Sequence, residues 1–541
     1  MKKNKVFWLF AVCLLMITTG IVTKTFQNDT FFTIPTGNYI LENGVNDVEP
    51  FTWHENLKFT KLRWAFDITV AKIYQIAGFS GLYVFTIIIA FLIAFTIFTT
   101  LSKNRTNKLI AFLMATFTLI ALSGFITCRG QLISYLLFAL ESYCVYKLAE
   151  TNKGKYSIYL IAISTLLVCF HSSVWLVYFL FFVPYIIEGI ITKFKLNNIF
   201  EKSDKIIFEP HLNKKLIITM CISFVLGLLS PLGTTPLTYM FKVVGGLSSK
   251  IILELQPVTI EENLNLCLIL AVIVVVLAFT KTKIRFTDIC LIVGFFIMAK
   301  LAERNVGIVL VSIALPIANL VNSFIKEYNK EFVFEYVNKI INKISCLIII
   351  FLACFLIMVT NYLEIKNQPY VDQTRYPIEA TEYIKENIDL NKMKIYNHFN
   401  FGSYMEFKGV PTFMDSRSEV YCEEFNNVTS DLEGKALYEE AKVLATELEL
   451  LNEFNVFKLK VGDTIKLEWK VLPSEASQQV SFVSLDSGVA SVLDDGTVVA
   501  ISGGNTSIII KTIDGSNLEQ TIEIYVERAA ETEKPDEESP E

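Results

Sequence analysis

The chain has 541 residues, 52% of them hydrophobic and only 19% charged, with 43 phenylalanines and a formal net charge of −6. A water-soluble protein of this length is rarely so apolar, which excludes an ordinary soluble enzyme. The basic residues are scattered rather than gathered into a patch, which excludes a nucleic-acid partner, and most of the 10 cysteines sit inside apolar runs, which excludes a disulfide framework.

In chain order, Met1-Lys2-Lys3-Asn4-Lys5 precedes an apolar run from Val6 to about Val22. Its length and the many runs that follow make it an uncleaved first span rather than a signal peptide. A hydrocarbon core of ~30 Å takes about 20 apolar residues. Further runs near 79–99, 109–127, 131–148, 156–170, 173–190, 215–231, 264–280, 286–300, 305–324 and 344–363 predict about eleven spans, with a turn at His171-Ser172-Ser173. Lysine and arginine crowd five loops, around Lys103, Lys147, Lys193, Lys281 and Lys326. With a cytoplasmic N-terminus all five lie inside, and the tail from about Asn361 lies outside.

The outer segments then hold the unusual polar residues: a first loop of about 25–66, Arg129-Gly130-Gln131, His171, the loop 232–263, and Lys300 to Asn305. Leu62 to Gln75 has apolar residues at helical spacing, with Lys61, Asp67 and Lys72 off that stripe, and predicts an amphipathic helix in the interface. Glu141, inside a span, is expected to face the bundle.

Beyond the last span, Pro377 opens a helix, Met393 to Tyr396 reads as a strand, Phe401 to Phe407 as a helix, Val410 to Met414 as a strand and 433–453 as a helix. Lys458 to Glu527 alternates apolar and polar residues over short runs and predicts a small β-sandwich. The acidic residues 528–541 read as a disordered tail. The chain is thus expected to comprise an α-helical polytopic part (1–363), an α/β annex (364–457), the sandwich (458–527) and the tail (528–541).

Two stretches resemble known families. Val461-Gly462-Asp463-Thr464, Val471-Leu472-Pro473, Ser484 to Val492 and Asp495-Gly496-Thr497 together resemble a bacterial Ig-like domain of group 2, a module of surface proteins. Asp29-Thr30-Phe31-Phe32, Asp47 through Trp53, Trp64-Ala65-Phe66-Asp67, Arg129-Gly130-Gln131, His171-Ser172-Ser173, Glu254-Leu255-Gln256-Pro257, Arg304-Asn305 and Pro411 to Tyr421 resemble bacterial polytopic proteins related to the C-type (GT-C-like) membrane glycosyltransferases. That resemblance implies a sugar taken from a polyprenyl-phosphate donor in the bilayer and passed to a cell-envelope acceptor on the outer face. It implies that Asp29 acts as base or metal ligand. Relatives often carry a second acid beside the first; here Thr30 follows, and Asp47 is the candidate. Whether a divalent metal takes part is left open.

Glycosyl transfer needs a carboxylate to take the acceptor proton and cations to hold the phosphate leaving group. Arg129 and Arg304 are candidate phosphate holders, because guanidinium pairs with phosphate through two parallel bonds. His171 and Glu254 are candidate substrate contacts, and Asp415 and Arg417 either roof the site or pair within the annex. Two other readings stand beside this one: a transporter of lipid-linked material, and a non-enzymatic surface protein whose Ig-like module binds a carbohydrate or protein.

Overall fold

The computed structural model describes residues 3–54, 57–104, 106–195, 204–209, 214–239, 254, 256–257, 264–328, 332, 335–336, 339, 343–417, 420–421, 445–452, 454–474, 476–513, 516 and 518–527. The chain is mostly helical, with a strand-rich C-terminal region. It divides into two compact units, residues 1–425 and 426–541.

The first unit begins with α1 (Lys3–Ile21), α2 (Asn28–Asn43), α3 (Trp64–Lys103), α4 (Lys108–Ala121), α5 (Gly130–Thr151) and α6 (Gly154–His171). Among the described residues, four helical stretches are long and apolar enough to cross a membrane: Trp64–Lys103, Gly130–Thr151, Gly154–Lys193 and Ile344–Ile365. The bent pair Glu303–Ser312 and Ala314–Tyr328 makes a fifth if it is one span. The sequence predicts about eleven, and some of the described helices at the predicted runs are too short to count by this measure. At about 1.5 Å per residue, α4 with 14 residues reaches only about 21 Å. Phe286–Leu301, with 16 residues, reaches about 24 Å.

Gly154–Lys193 counts as one continuous stretch by length, yet its two halves lie side by side. Trp175 Nε1 donates to Ser164 Oγ at 2.8 Å, and Tyr178 Oη donates to the Leu160 carbonyl at 3.1 Å. In a straight helix, residues 18 apart in sequence would be separated by about 27 Å. The chain therefore doubles back at the short 3₁₀ turn Ser172–Val174, where the sequence predicts a turn.

The segment predicted as the first outer loop contains a helix the sequence reading missed. Phe31, Phe32, Ile34 and Ile40 give α2 a buried face in spite of Pro35 within it. That face lies on the N-terminal part of α3, and it buries Asp67 and Lys61, each about 1% exposed, which the helical stripe alone had placed on the outside. Contact is closest at Gly37, where a Cβ would lie 2.0 Å from the Asp67 carbonyl oxygen. Gly37→Ala must push the helices apart; we expect a loss of about 1–3 kcal/mol, read as a lowered melting temperature in nanodiscs. Beyond this contact the backbone of α3 is non-helical at Gly78 (φ 57°, ψ −152°), so an outer piece meets the apolar piece at a kink. Glu141 is fully buried within the bundle, as expected.

In the annex, the helices Ile378–Asn387 and Phe399–Phe407 form as predicted, with Pro377 as the N-cap rather than the first helical residue. The two predicted strands do not. Residues 393–396 and 410–414 form no ladder, and among them only Thr412 makes an isolated bridge, to Thr52 of the first loop. The predicted helix at 433–453 is a strand where the structure describes it: Glu447–Leu450 pairs antiparallel with Trp469–Leu472. Residues 433–444, the turn at Asp514-Gly515 and the tail 528–541 lie outside the described residues.

The C-terminal unit contains a four-stranded sheet in the order Val456–Lys460, Glu519–Glu527, Gly504–Thr512, Val480–Ser484, with the first pair parallel and the others antiparallel. A three-stranded sheet runs Thr464–Lys466, Thr497–Ala500, Ala490–Val492. Period-two alternation decides what is buried: Ile522, Ile524 and Val526 point into the core, while Glu523 and Tyr525 point out. The alternating run 464–472 forms two strands, broken at Leu467-Glu468, that pair in two different sheets.

Candidate functional site

Asp29 sits in the first turn of α2, where the helix N-terminus favours a carboxylate. Arg129 is the extended N-cap of α5 (φ −131°, ψ 157°). Thr30 Oγ1 donates to the Cys128 carbonyl at 3.2 Å and aligns the two. In this arrangement Arg129 Nε donates to Asp29 Oδ2. Its Nη1 and Nη2 donate to Glu254 Oε1 and Oε2, both at 3.0 Å. Side chains 100 and 125 residues apart in sequence thus form one carboxylate–guanidinium–carboxylate row. Exposure rises along it, from 18% at Asp29 to 45% at Glu254.

Two further tethers draw in the remaining polar groups. The Leu62 carbonyl accepts from the backbone N–H and the hydroxyl of Ser172, at 3.0 and 2.9 Å, which sets Arg63 beside His171. The Gln256 carbonyl accepts from the Glu303 N–H at 3.1 Å, which ties the Glu254 segment to the 3₁₀ turn that carries Arg304. His171 is held by Ser134 Oγ, 2.7 Å from its Nδ1, and lies in the electrostatic field of Arg63, Arg304 and Arg129.

The structure therefore brings Asp29, Arg129, His171, Glu254 and Arg304 into one neighbourhood. It adds Arg63, Asp67 and Ser134, which the sequence reading did not single out as functional. Arg63 lies 4.7 Å over the ring of Phe32 and is 3.9 Å from Asp67. The roles shift in one respect. Three of the five N–H groups of Arg129 go to Asp29 and Glu254, so in this arrangement Arg129 positions the two carboxylates. Arg304 makes no ion pair among the described residues and Arg63 only the long contact to Asp67, so these two guanidinium groups are the least engaged by carboxylates.

Asp47 stands apart. Its side chain is exposed, and its backbone carbonyl accepts from Phe59 N–H at 2.9 Å. The second carboxylate at the Arg129 row is Glu254. Asp415 and Arg417 belong to a separate, fully buried centre. Arg417 meets Glu49 Oε2 at 2.7 Å, Glu406 Oε1 at 2.9 Å and Asp415 Oδ1 at 2.8 Å, and Tyr421 donates to Asp415. Its guanidinium lies 4.6 Å over the ring of Phe59 and 5.7 Å over that of Phe32, the ring that also carries Arg63. This centre pins the first loop to the annex; of the two readings for these residues, pairing within the annex is what the geometry shows.

Burial raises the Asp29 carboxyl, but the charges of Arg129 and Arg63 and the bond from Arg129 outweigh it and hold it below the ordinary carboxylate value. Burial keeps Glu406 well above its ordinary value, with Asp415 and Glu49 opposing what Arg417 takes back. Because Asp29 is lowered relative to an unfolded value of about 3.9, its stabilisation is complete above that pH and is lost as pH falls through the lowered value. Below about pH 4, thermal stability should fall more steeply for the wild type than for Asp29→Asn.

Among the described residues no group of three or more His, Cys, Asp or Glu side chains is arranged to hold a metal ion. Asp29 and Glu254 are the carboxylates nearest to such a role, and Arg129 lies between them. No family model matches the chain, and no curated protein is significantly similar to it.

Proposed function

We propose that the chain is an integral membrane glycosyltransferase that moves a sugar from a polyprenyl-phosphate donor to a cell-envelope acceptor at the outer face. The row Asp29–Arg129–Glu254, flanked by Arg63, His171 and Arg304, carries this reading. Asp29, held ionised, takes the acceptor hydroxyl proton as the oxygen attacks the anomeric carbon. The bond from that carbon to the phosphate oxygen breaks, and the phosphate leaves with the bonding electrons. Arg63 and Arg304 neutralise the charge that develops on it. Glu254 and Arg129 keep Asp29 in place.

In this reading the polytopic part has about eleven spans, the N-terminus is cytoplasmic, and the strand-rich unit is an extracytoplasmic Ig-like sandwich. The reversal at Ser172–Val174 supports counting Gly154–Lys193 as two spans. The shared core of the C-terminal sheets supports a sandwich. An impermeant maleimide should label a cysteine placed at Lys458 from outside intact cells; labelling only after permeabilisation would reverse the orientation. Purified protein in liposomes should transfer sugar from a polyprenyl-phosphate sugar to an acceptor. Flux of the intact lipid-linked sugar with no transfer would instead favour a transporter.

A further inference from the structure

A second polar cavity lies at the opposite end of α5 from Arg129. The helix has 22 residues and spans about 33 Å, so the two places are separated by roughly a membrane's thickness. The cavity measures about 690 Å³, within the range of small-ligand sites. Five cationic and three acidic residues line it.

Pairing inside the lining accounts for the three acids. Arg285 reaches Asp288 at 2.9 Å and Glu209 at 3.8 Å, and Lys147 reaches Glu150 at 2.5 Å. Lys103, Lys283 and Lys326 are left without an ion pair among the described residues. They come from three separate places: the last turn of α3, the turn before the short strand Ile284–Arg285, and the last turn of Ala314–Tyr328. The wall that holds them is fixed. Ser323 Oγ donates to the Lys283 carbonyl at 2.5 Å, Asn104 Nδ2 to Asn319 Oδ1 at 2.7 Å, and Asn319 Nδ2 to Asp288 at 3.2 Å.

Lysines that merely snorkel to a headgroup layer spread around the perimeter of a bundle. Three that face one concavity repel each other, and an anion bound among them relieves that repulsion. The lining also offers an acceptor. Asn322 gives its Nδ2 to Thr106 Oγ1 at 2.8 Å, while its Oδ1 is buried and has no hydrogen-bond partner among the described residues. We propose that this cavity binds a phosphate ester that also carries a hydroxyl group, the phosphate among Lys103, Lys283 and Lys326 and the hydroxyl donating to Asn322. The inference is independent of the chemistry at the Asp29 end.

The test uses the full chain in phosphatidylcholine nanodiscs, with melting temperature as the readout. Glycerol 3-phosphate titrated from solution is one arm; phosphatidylglycerol incorporated in the nanodisc is the other. Either should raise the melting temperature in a saturable way, and the arm that saturates at the lower concentration identifies the source as soluble or lipid. The variant K103Q/K283Q/K326Q should weaken that affinity by roughly 100-fold. The variant K153Q/K155Q/K193Q removes the same charge outside the cavity and should change it less than about 3-fold. Equal losses in the two variants, or no saturable shift with either compound, would overturn the proposal.

Discussion

Asp29→Asn is expected to lower sugar transfer by about 10²- to 10⁴-fold, the usual contribution of a positioned general base. The amide is isosteric, and Arg129 keeps both of its bonds to Glu254, so the row of side chains survives the substitution. Membrane insertion and yield should therefore match the wild type, and the loss should appear in kcat rather than in donor KM. Glu254→Gln provides the contrast. Glu254 acts through Arg129, so its neutralisation should loosen the row and cost less than loss of the base, while shifting the acid limb of the rate profile downward, because a negative charge that shares Arg129 with Asp29 is removed. Full transfer by Asp29→Asn in liposomes would refute the role of base. Equal losses from the two substitutions would make both residues structural.

What could be read in the sequence follows from where each signal originates. Polar residues at the ends of apolar runs are expensive to bury in lipid, so Asp29, Arg129, His171 and Arg304 stand out, and the alternation of predicted loops makes one face the expectation for all four. Glu254 stood out in the same way, although its pairing with Arg129 depends on a fold no local pattern encodes. Arg63 and Asp67 did not, because their burial is created by α2. That helix carries Pro35, Gly37 and Asn38, which lower any helical reading, and it forms because Phe31, Ile34 and Ile40 have α3 and the annex to pack on. Propensity lost to tertiary packing there. The opposite occurred at Met393–Tyr396 and Val410–Met414. These have strand-like side chains but no strand beside them, so Asn397 satisfies the backbone instead, accepting from Phe413 N–H at 2.8 Å and donating to the Met414 carbonyl at 2.7 Å. The count of spans suffered from a different limit. Hydropathy measures a run of residues, while the helix end at Ala121 is set by the cap at Leu122, which a window average does not register.

Arg417→Met should be the most destabilising single change in the annex. The guanidinium is fully buried and is the one cation meeting Glu49, Glu406 and Asp415 among the described residues. Methionine fills much of the same volume, so the effect is electrostatic rather than a cavity. Burial raises the Glu406 carboxyl well above its ordinary value, so it tolerates the loss best; Asp415, which its partners hold below its ordinary value, and Glu49, which burial raises but Arg417 binds through two nitrogens, lose their counter-charge. Breaking a buried pair from one side costs about 3–5 kcal/mol. In the regime where cleavage follows the open population, that becomes a roughly hundred- to several-thousand-fold faster proteolysis of the annex. Arg417→Lys should recover little, since an ammonium cannot serve Glu49 through two parallel bonds while also reaching Asp415 and Glu406. The combination R417M/E49Q/D415N should recover a large part, because it removes the stranded charges together with their partner. A single variant as stable as the wild type would mean that water reaches this centre. In that case the first loop is not anchored by Arg417, and the placement of α2, with Asp29 at its start, rests on the Gly37 contact, the Thr30–Cys128 bond and the packing of Phe31 on the annex.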